Sequence, residues 1–405
     1  MRMKKTSIDW CPYIPEHWGE KRIKDIAFLQ SGNSITALDL HDDASYPVYG
    51  GNGIRGFTDT YTNEGDYVLI GRQGALCGNI NYAHGKFFAT EHAVVVYTKK
   101  GEITRWLGET LNIANLNRLS MTAAQPGLAV STINNQFIPY PPLNERKRIA
   151  EYLNDKTGKI DARVSLLSKK RDAYRRLKKA LISRVVTKGL NPNTKFKPSG
   201  VDWIGEIPEG WEVKRIKEIC DFVSRGTTPD YVDESKYKVM NQATFSKGYI
   251  DDSIVRYTCK PSADANIKKG DLLIASTGGG VLGKVLYYNR EDKSFYADSH
   301  VSILRNFKGE NCMKFLYYVF STKFAEINAT MVKGSTNQTE LQRNYLLAHE
   351  IPIPAMEEQQ SIASYLDEKC SEIDANIANL EKQIEKYKEL KRALISEVVT
   401  GKRMV

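Results

Sequence analysis

The 405-residue chain contains no apolar run approaching the roughly 20 residues that a bilayer-crossing helix needs. Its opening, MRMKKTSIDW, lacks the hydrophobic core of a secretory signal. A soluble, cytoplasmic protein with no membrane partner is expected. Cysteine is sparse: six residues, at positions 11, 77, 220, 259, 312 and 370, with no CxxC pair. That pattern argues against a disulfide framework and fits reduced thiols. The six histidines form no cluster with metal-ligand spacing.

What is present is ordinary for a soluble globular protein, with 41% hydrophobic and 26% charged residues. The length suggests two or three domains, each able to bury its own core. Lys and Arg number 58 against 48 Asp and Glu, a net charge of +10. Such a surplus suits a polyanion such as nucleic acid, although many basic proteins bind none.

The informative feature is a repeat. ALISRVVTKG at 180–189 returns as ALISEVVTGK at 393–402, an offset of 213. IAEYLNDKTGKIDA (149–162) and IASYLDEKCSEIDA (362–375) keep that offset. DWCPYIPEHWGEKRIKDI (9–26) matches DWIGEIPEGWEVKRIKEI (202–219) at an offset of 193, with 11 of 18 positions identical. The second copy therefore gains 20 residues, all in the divergent middle. Two copies in one chain commonly pack about a pseudo-two-fold axis. Matching frames should build one architecture, and divergent middles should do two versions of one job.

Each copy ends in a long helical pattern. Ile149, Leu153, Ile160, Val164, Leu167, Tyr174, Leu177 and Leu181 follow 3/4 spacing, and Ile373, Leu380, Tyr387 and Leu394 lie on the same rhythm in copy two. Such spacing makes a narrow apolar seam suited to a partner helix. A helix lying on its own domain is the plainer reading, and the duplication favours mutual pairing. The prolines of IPYPP (138–142) and IPIP (351–354) hold the chain extended before each helix, and Glu145, Glu357 and Glu358 then fall in the first turn. TKGLNPNTKFKPSG (187–200) breaks the two copies apart. The middles, with runs such as DYVLIGRQGALCGNINYA and GDLLIASTGGGVLGKVLYY, read as short strands cut by glycines, hence mixed α/β.

Several catalytic-looking strings fail in context. GNGIRG (51–56) satisfies G-x-G-x-x-G, but FTDTYTNEGDYVLI after it reads as turn and strand rather than helix. GGGVLGKV (278–285) approaches a phosphate loop, yet Val285 replaces the magnesium-binding Ser or Thr. YPPL (140–143) superficially resembles an adenine amino-methyltransferase motif, but Tyr140 and Leu143 stand where a polar acceptor and an aromatic are needed. PDYVDESK (229–236) has too short a gap for a nuclease centre and no counterpart in copy one.

The polar, glycine-bearing loops of the middles are the candidate DNA-contacting segments. They offer Asn52, Arg55, Arg72 and Gln73 in copy one. Copy two offers Arg225, Thr227, Thr228, Ser276, Thr277 and Lys284, then Lys333, Ser335, Asn337 and Gln338. Arg, Asn and Gln can make bidentate contacts to base edges, whereas Lys and Ser can hold phosphates. His92 and His300 are the histidines that align between copies. A structural place at a strand start is the first reading of each, with phosphate or base contact second. KKRDAYRRLKK (169–179) reads first as a solvated helix face and second as a phosphate-binding stripe.

Together these strings resemble the specificity subunits of type I restriction–modification systems over essentially the whole chain. The resemblance rests on WIGEIPEGWEVKRIKEI, YGGNGIRG, SRGTTP, IPAMEEQQSIASYLDEK and LKRALISEVVTGK. LNERKRIA departs from the usual Glu-Gln pair and VVTKG from VVTGK, both at candidate partner-binding surfaces. The resemblance implies an α+β fold: a first target-recognition domain over 1–143, a helix over 144–188, a second recognition domain over 189–355, and a C-terminal helix over 356–405. It implies that the two helices lie antiparallel as a spacer, and that each domain reads half of an asymmetric bipartite site on double-stranded DNA across a nonspecific gap. It further implies two modification subunits and restriction subunits as partners. S-adenosylmethionine, ATP and Mg would be bound by those partners, with no cofactor and no catalytic residue in this chain. A self-sufficient DNA methyltransferase or nuclease, and a coiled-coil scaffold whose two heads bind something other than DNA, are the competing readings.

Overall fold

A computed structural model describes residues 2–74, 76–120, 127–278, 280–323, 327, 332–333 and 340–405. The chain forms two compact units that are not contiguous in sequence. Unit 1 comprises Met1–Lys169 with Glu381–Val405, and unit 2 comprises Lys170–Leu380. The four linear segments read from the sequence are thus cut across, because each unit takes part of both long helices.

In unit 1, β-branched and aromatic runs build a four-stranded antiparallel sheet. Its order is Ala27–Ser31, Ala93–Thr98, Tyr67–Gly71, Ile80–Ala83. Val68, Ile70, Val94 and Val96 are fully buried beneath helix Thr104–Ile113, which adds Trp106, Leu107 and Leu111 to the core. Burying such side chains contributes about 1.5–3 kcal/mol each. A second sheet runs Gly53–Thr58, Tyr46–Gly50, Lys86–Ala89, Asn63–Glu64, and its Tyr46–Gly50/Lys86–Ala89 pair is parallel. Unit 2 repeats the plan. Phe222–Arg225, Val301–Arg305, Leu272–Ala275 and Val285–Tyr287 form one sheet, and Tyr237–Met240 pairs parallel with Phe295–Ala297 in another.

The long helices are Leu143–Lys188, of 46 residues, and Met356–Val399, of 44. Proline sets where both begin. Phe137–Tyr140 is held extended against Gly19–Arg22, and Glu350–Ile353 against Glu212–Arg215, so the start of each copy is stitched to the entrance of its helix. A tryptophan of the repeated DW…W segment is then tied to an acid in the first turn of each helix. Trp18 Nε1 donates to Glu145 Oε2 at 2.8 Å, and Trp211 Nε1 donates to Glu358 Oε2 at 3.0 Å.

Within each unit the helical segments run antiparallel. In unit 1, Lys391 pairs with Asp161 at 2.7 Å, and Arg148 and Ile149 lie by the chain end at Arg403–Val405. In unit 2, Lys178 pairs with Asp374 at 2.6 Å. Of the expected seam, Ile160, Leu167, Ile373, Leu380 and Leu394 are buried, while Tyr174, Leu181 and Tyr387 are half-buried. Leu177 is exposed, contrary to the periodic reading, and so is Leu390, its counterpart in the repeat. Near its end each helix instead packs on its head through a neighbouring stripe, Ile182, Val185 and Val186 in unit 2 and Ile395, Val398 and Val399 in unit 1.

The departure LNERKRIA also has a structural reason. Arg146 is 4% exposed, donates to the Pro141 carbonyl at 3.0 Å, pairs with Glu102 and lies over the rings of Tyr140 and Trp106. Its counterpart Gln359 is 1% exposed and donates to the Pro354 carbonyl at 2.9 Å. Position 146 is therefore an internal anchor for the helix entrance and not the partner-facing surface expected from the sequence.

Candidate nucleic-acid interface

Three chain reversals converge at one end of the main sheet in unit 1. They are the Gly50–Gly53 turn, the end of strand Tyr67–Gly71 and the Thr90–His92 link. The approach is close enough to require glycine: a Cβ on Gly71 would lie 2.0 Å from the Gly51 carbonyl oxygen, and one on Gly32 would lie 2.1 Å from that of Ala89. The backbone bonds Asn33 N–H to Ala89 O (2.9 Å), Arg72 N–H to His92 O (2.8 Å) and Leu128 N–H to Arg72 O (2.9 Å) lock the cluster.

Unit 2 repeats the lock. Thr227 N–H bonds Ala297 O (3.3 Å), Ser276 N–H bonds His300 O (2.8 Å) and Leu341 N–H bonds Ser276 O (2.8 Å). A Cβ on Gly226 would again stand 2.1 Å from a carbonyl oxygen, that of Ala297. One scaffold thus presents two different sets of side chains.

The set in unit 1 is polar, with Arg72 and His92 half-buried. Asn52 and Gln73 are exposed, and Asn52 Oδ1 accepts from Asn79 Nδ2 at 2.7 Å. Arg55 is exposed on the neighbouring strand, with its stem folded over Gly50. Arg72 Nη1 donates to Ser31 Oγ at 3.2 Å. His92 Nε2 lies 3.5 Å from Glu91 Oε1, and its buried Nδ1 has no partner among the described residues.

The set in unit 2 is more acidic. Arg225 is ion-paired with Glu340, and His300 Nδ1 bonds Thr277 Oγ1 at 2.7 Å. Asp298 Oδ1 accepts the His300 N–H at 2.8 Å, and burial pushes its carboxyl above the usual carboxylate range. Burial likewise lowers the Arg225 guanidinium below its ordinary value. Thr227 and Thr228 are exposed.

Two sequence-derived candidates are corrected. Ser276 is fully buried, its hydroxyl bonded to Ser302 Oγ at 2.6 Å, so it lies inside the sheet. Lys284 is half-buried and spends its ammonium on the Ser246 carbonyl at 2.7 Å. Lys333 enters a short backbone pairing with Glu340, its side chain undescribed, and Ser335, Asn337 and Gln338 lie outside the described residues. Part of the basic run on the first helix is engaged within the protein: Arg171 and Arg175 lie against Asp172, and Lys178 against Asp374. With Tyr317 and Tyr318 of helix Met313–Ser321, Arg175, Lys178 and Lys179 line a cavity of about 530 Å³ in unit 2.

Ser31, Asn33, Asn79, Asp298 and Glu340 belong to these clusters and were missed. Their signal was the frame offset, which drifts through the middles and hides which residues of the two copies correspond. Neither glycine-rich string opens a helix. GNGIRG makes the hairpin between Tyr46–Gly50 and Gly53–Thr58, and GGGVLGKV leads into strand Val285–Tyr287. Among the described residues no helix is long and apolar enough to cross a membrane, and no group of three metal-ligating side chains is assembled.

Comparison with known proteins agrees in kind. Residues 15–164 and 208–386 each match the family described as type I restriction modification DNA specificity domain. The EcoprrI specificity subunit of a type I restriction enzyme from Escherichia coli is 38% identical over 138 residues, which are 33% of this chain and 34% of that one. The MjaVIII specificity subunit from Methanocaldococcus jannaschii is 26% identical over 412 residues, covering 96% of this chain and 93% of the relative. A chain from a structural study of type I R-M system assembly shares the fold, with a TM-score of 0.70 at 18% identity, over 96% of this chain and 99% of that one.

Proposed function

Because this chain belongs to the type I restriction modification DNA specificity family, we propose that it is the subunit that reads DNA for a restriction–modification complex. Each head addresses one half of a bipartite site on double-stranded DNA. The long helices set the gap between the halves and dock the modification subunits. Methyl transfer with S-adenosylmethionine, and cleavage with ATP and Mg, belong to partner subunits in the cytoplasm. This chain contributes no catalytic group.

The observation that carries this reading is the duplicated backbone lock bearing different side chains at corresponding positions: Ser31, Asn33, Arg72 and Gln73 in one head; Arg225, Thr227, Ser276 and Thr277 in the other. A single chemistry performed twice would need the same groups twice. Reading two different sequences needs one frame and two sets of donors and acceptors. The test is binding of duplex DNA by the complex of this chain with its modification subunits, measured across salt. Affinity should fall steeply as salt rises while preference for one bipartite sequence persists. Tight S-adenosylmethionine binding by this chain alone would favour the methyltransferase reading instead.

A further inference from the structure

With the backbone bonds fixing the correspondence, Ser31 of the first head stands where Arg225 stands in the second, and Arg72 stands where Ser276 stands. Serine and arginine have exchanged places. In the first head, Arg72 extends from the end of strand Tyr67–Gly71 across the sheet to Ser31, 3.2 Å away. In the second, Arg225 starts from the other side of the middle strand, at the end of strand Phe222–Arg225, and reaches Glu340. Each head thus holds one guanidinium at the same strand ends, but mounts it on the opposite side of the middle strand.

The surroundings decide what such a group would contact. Carboxylates stand close by in both heads: Glu91 next to His92 in the first, Glu340 and the buried Asp298 in the second. They would repel a phosphate, whereas a carboxylate can accept from the amino group of cytosine. A guanidinium held by a side-chain partner keeps its fork oriented, and that fork matches O6 and N7 of guanine.

We propose that each head reads a guanine with this one guanidinium, Arg72 in the first head and Arg225 in the second, delivered from opposite sides of the corresponding middle strand. This rests on the DNA-reading function proposed above and assigns part of its specificity.

The test uses the complex of the full chain with its modification subunits, selecting bound molecules from a randomised duplex library. The unaltered complex should enrich a two-part motif with a guanine in each half. Arg72→Ser should reduce selection of guanine at one position of one half by roughly tenfold or more, leaving the other half unchanged. The transplant Ser31→Arg with Arg72→Ser should restore that guanine, because the fork returns from the other side of the middle strand. Arg72→Gln adds no new residue at 31 and should replace guanine by adenine or by no preference. An Arg72→Ser or Arg72→Gln complex that binds every sequence more weakly with its motif intact would make Arg72 a phosphate contact and overturn the proposal. So would a transplant with unchanged melting temperature that fails to restore guanine. Absence of any motif with the unaltered complex would instead sink the DNA-reading function itself.

Discussion

Trp18 and Glu145, 127 positions apart, are joined by an indole N–H to carboxylate hydrogen bond of 2.8 Å. It ties the first repeated segment to the first turn of the long helix, where an acid also complements the helix dipole. Trp211 and Glu358 make the same tie in unit 2. Glu145→Ala leaves a largely buried indole N–H without its acceptor, and His17 also loses its partner on that carboxylate. Unit 1 should lose about 1.5–3 kcal/mol, read from chemical unfolding monitored by tryptophan fluorescence. A loss below a few tenths would mean that the tie contributes nothing.

The helix segments should owe more to their apolar stripes than to their ion pairs. Leu394 and Ile395 are buried in the unit 1 core, whereas Asp161 and Lys391 are partly solvated. Leu394→Ala should cost about 2–5 kcal/mol. Asp161→Ala should cost at most about 1 kcal/mol. Comparing the two by denaturant titration reads the ratio directly, and the reverse order would be inconsistent with an apolar seam.

Gly32 and Gly226 should each be essential to their own head. An alanine at either site places its Cβ 2.1 Å from a backbone oxygen that strand pairing holds in place. Overpacking of that kind costs about 1–3 kcal/mol. Gly32→Ala should impair selection of one half-site and Gly226→Ala of the other, as seen in methylation motifs. Either variant acting on both halves would break the one-head, one-half correspondence.

Asp298 sets a pH dependence of known sign. Burial raises its folded carboxyl pKa, so its contribution favours the fold when the carboxyl is protonated and is lost as pH rises through the folded value. Asp298→Asn keeps an oxygen for the His300 N–H and removes the charge. The variant should melt higher than the parent near pH 7, and the difference should close below the ordinary carboxyl value of 3.8. A difference that grows on acidification would refute burial as the dominant influence.

The frames were readable because their side chains are tied to fixed partners. The DW…W segment, the prolines and the first-turn acids recur since one helix entrance needs all of them. Seam positions were readable wherever helix meets helix, as at Ile160, Leu167, Ile373 and Leu380. They drifted near Leu177 and Leu390, beyond which Ile182 and Ile395 turn the buried stripe onto the heads. The middles resisted because main-chain bonds hold them, and such bonds tolerate many side chains. Ser276 looks like a loop serine in ASTGGG, yet it closes a sheet beside Ser302. Arg146 lies in LNERKRIA, a candidate partner-binding surface by sequence, yet it is a buried anchor.

If the helices set the gap, lengthening both by one heptad should widen it without altering either half-site. Seven residues add ~10.5 Å of helix, or roughly three base pairs. An unchanged gap in the methylated motif would remove the helices from that role.

The most direct measurement is methylome sequencing of cells that express this chain with its modification subunit, beside a chimera whose residues 30–135 come from another family member. The expected result is one altered half-site, with the other half and the gap preserved. A chimera whose two halves both change, or whose motif does not change at all, would contradict recognition by two independent heads.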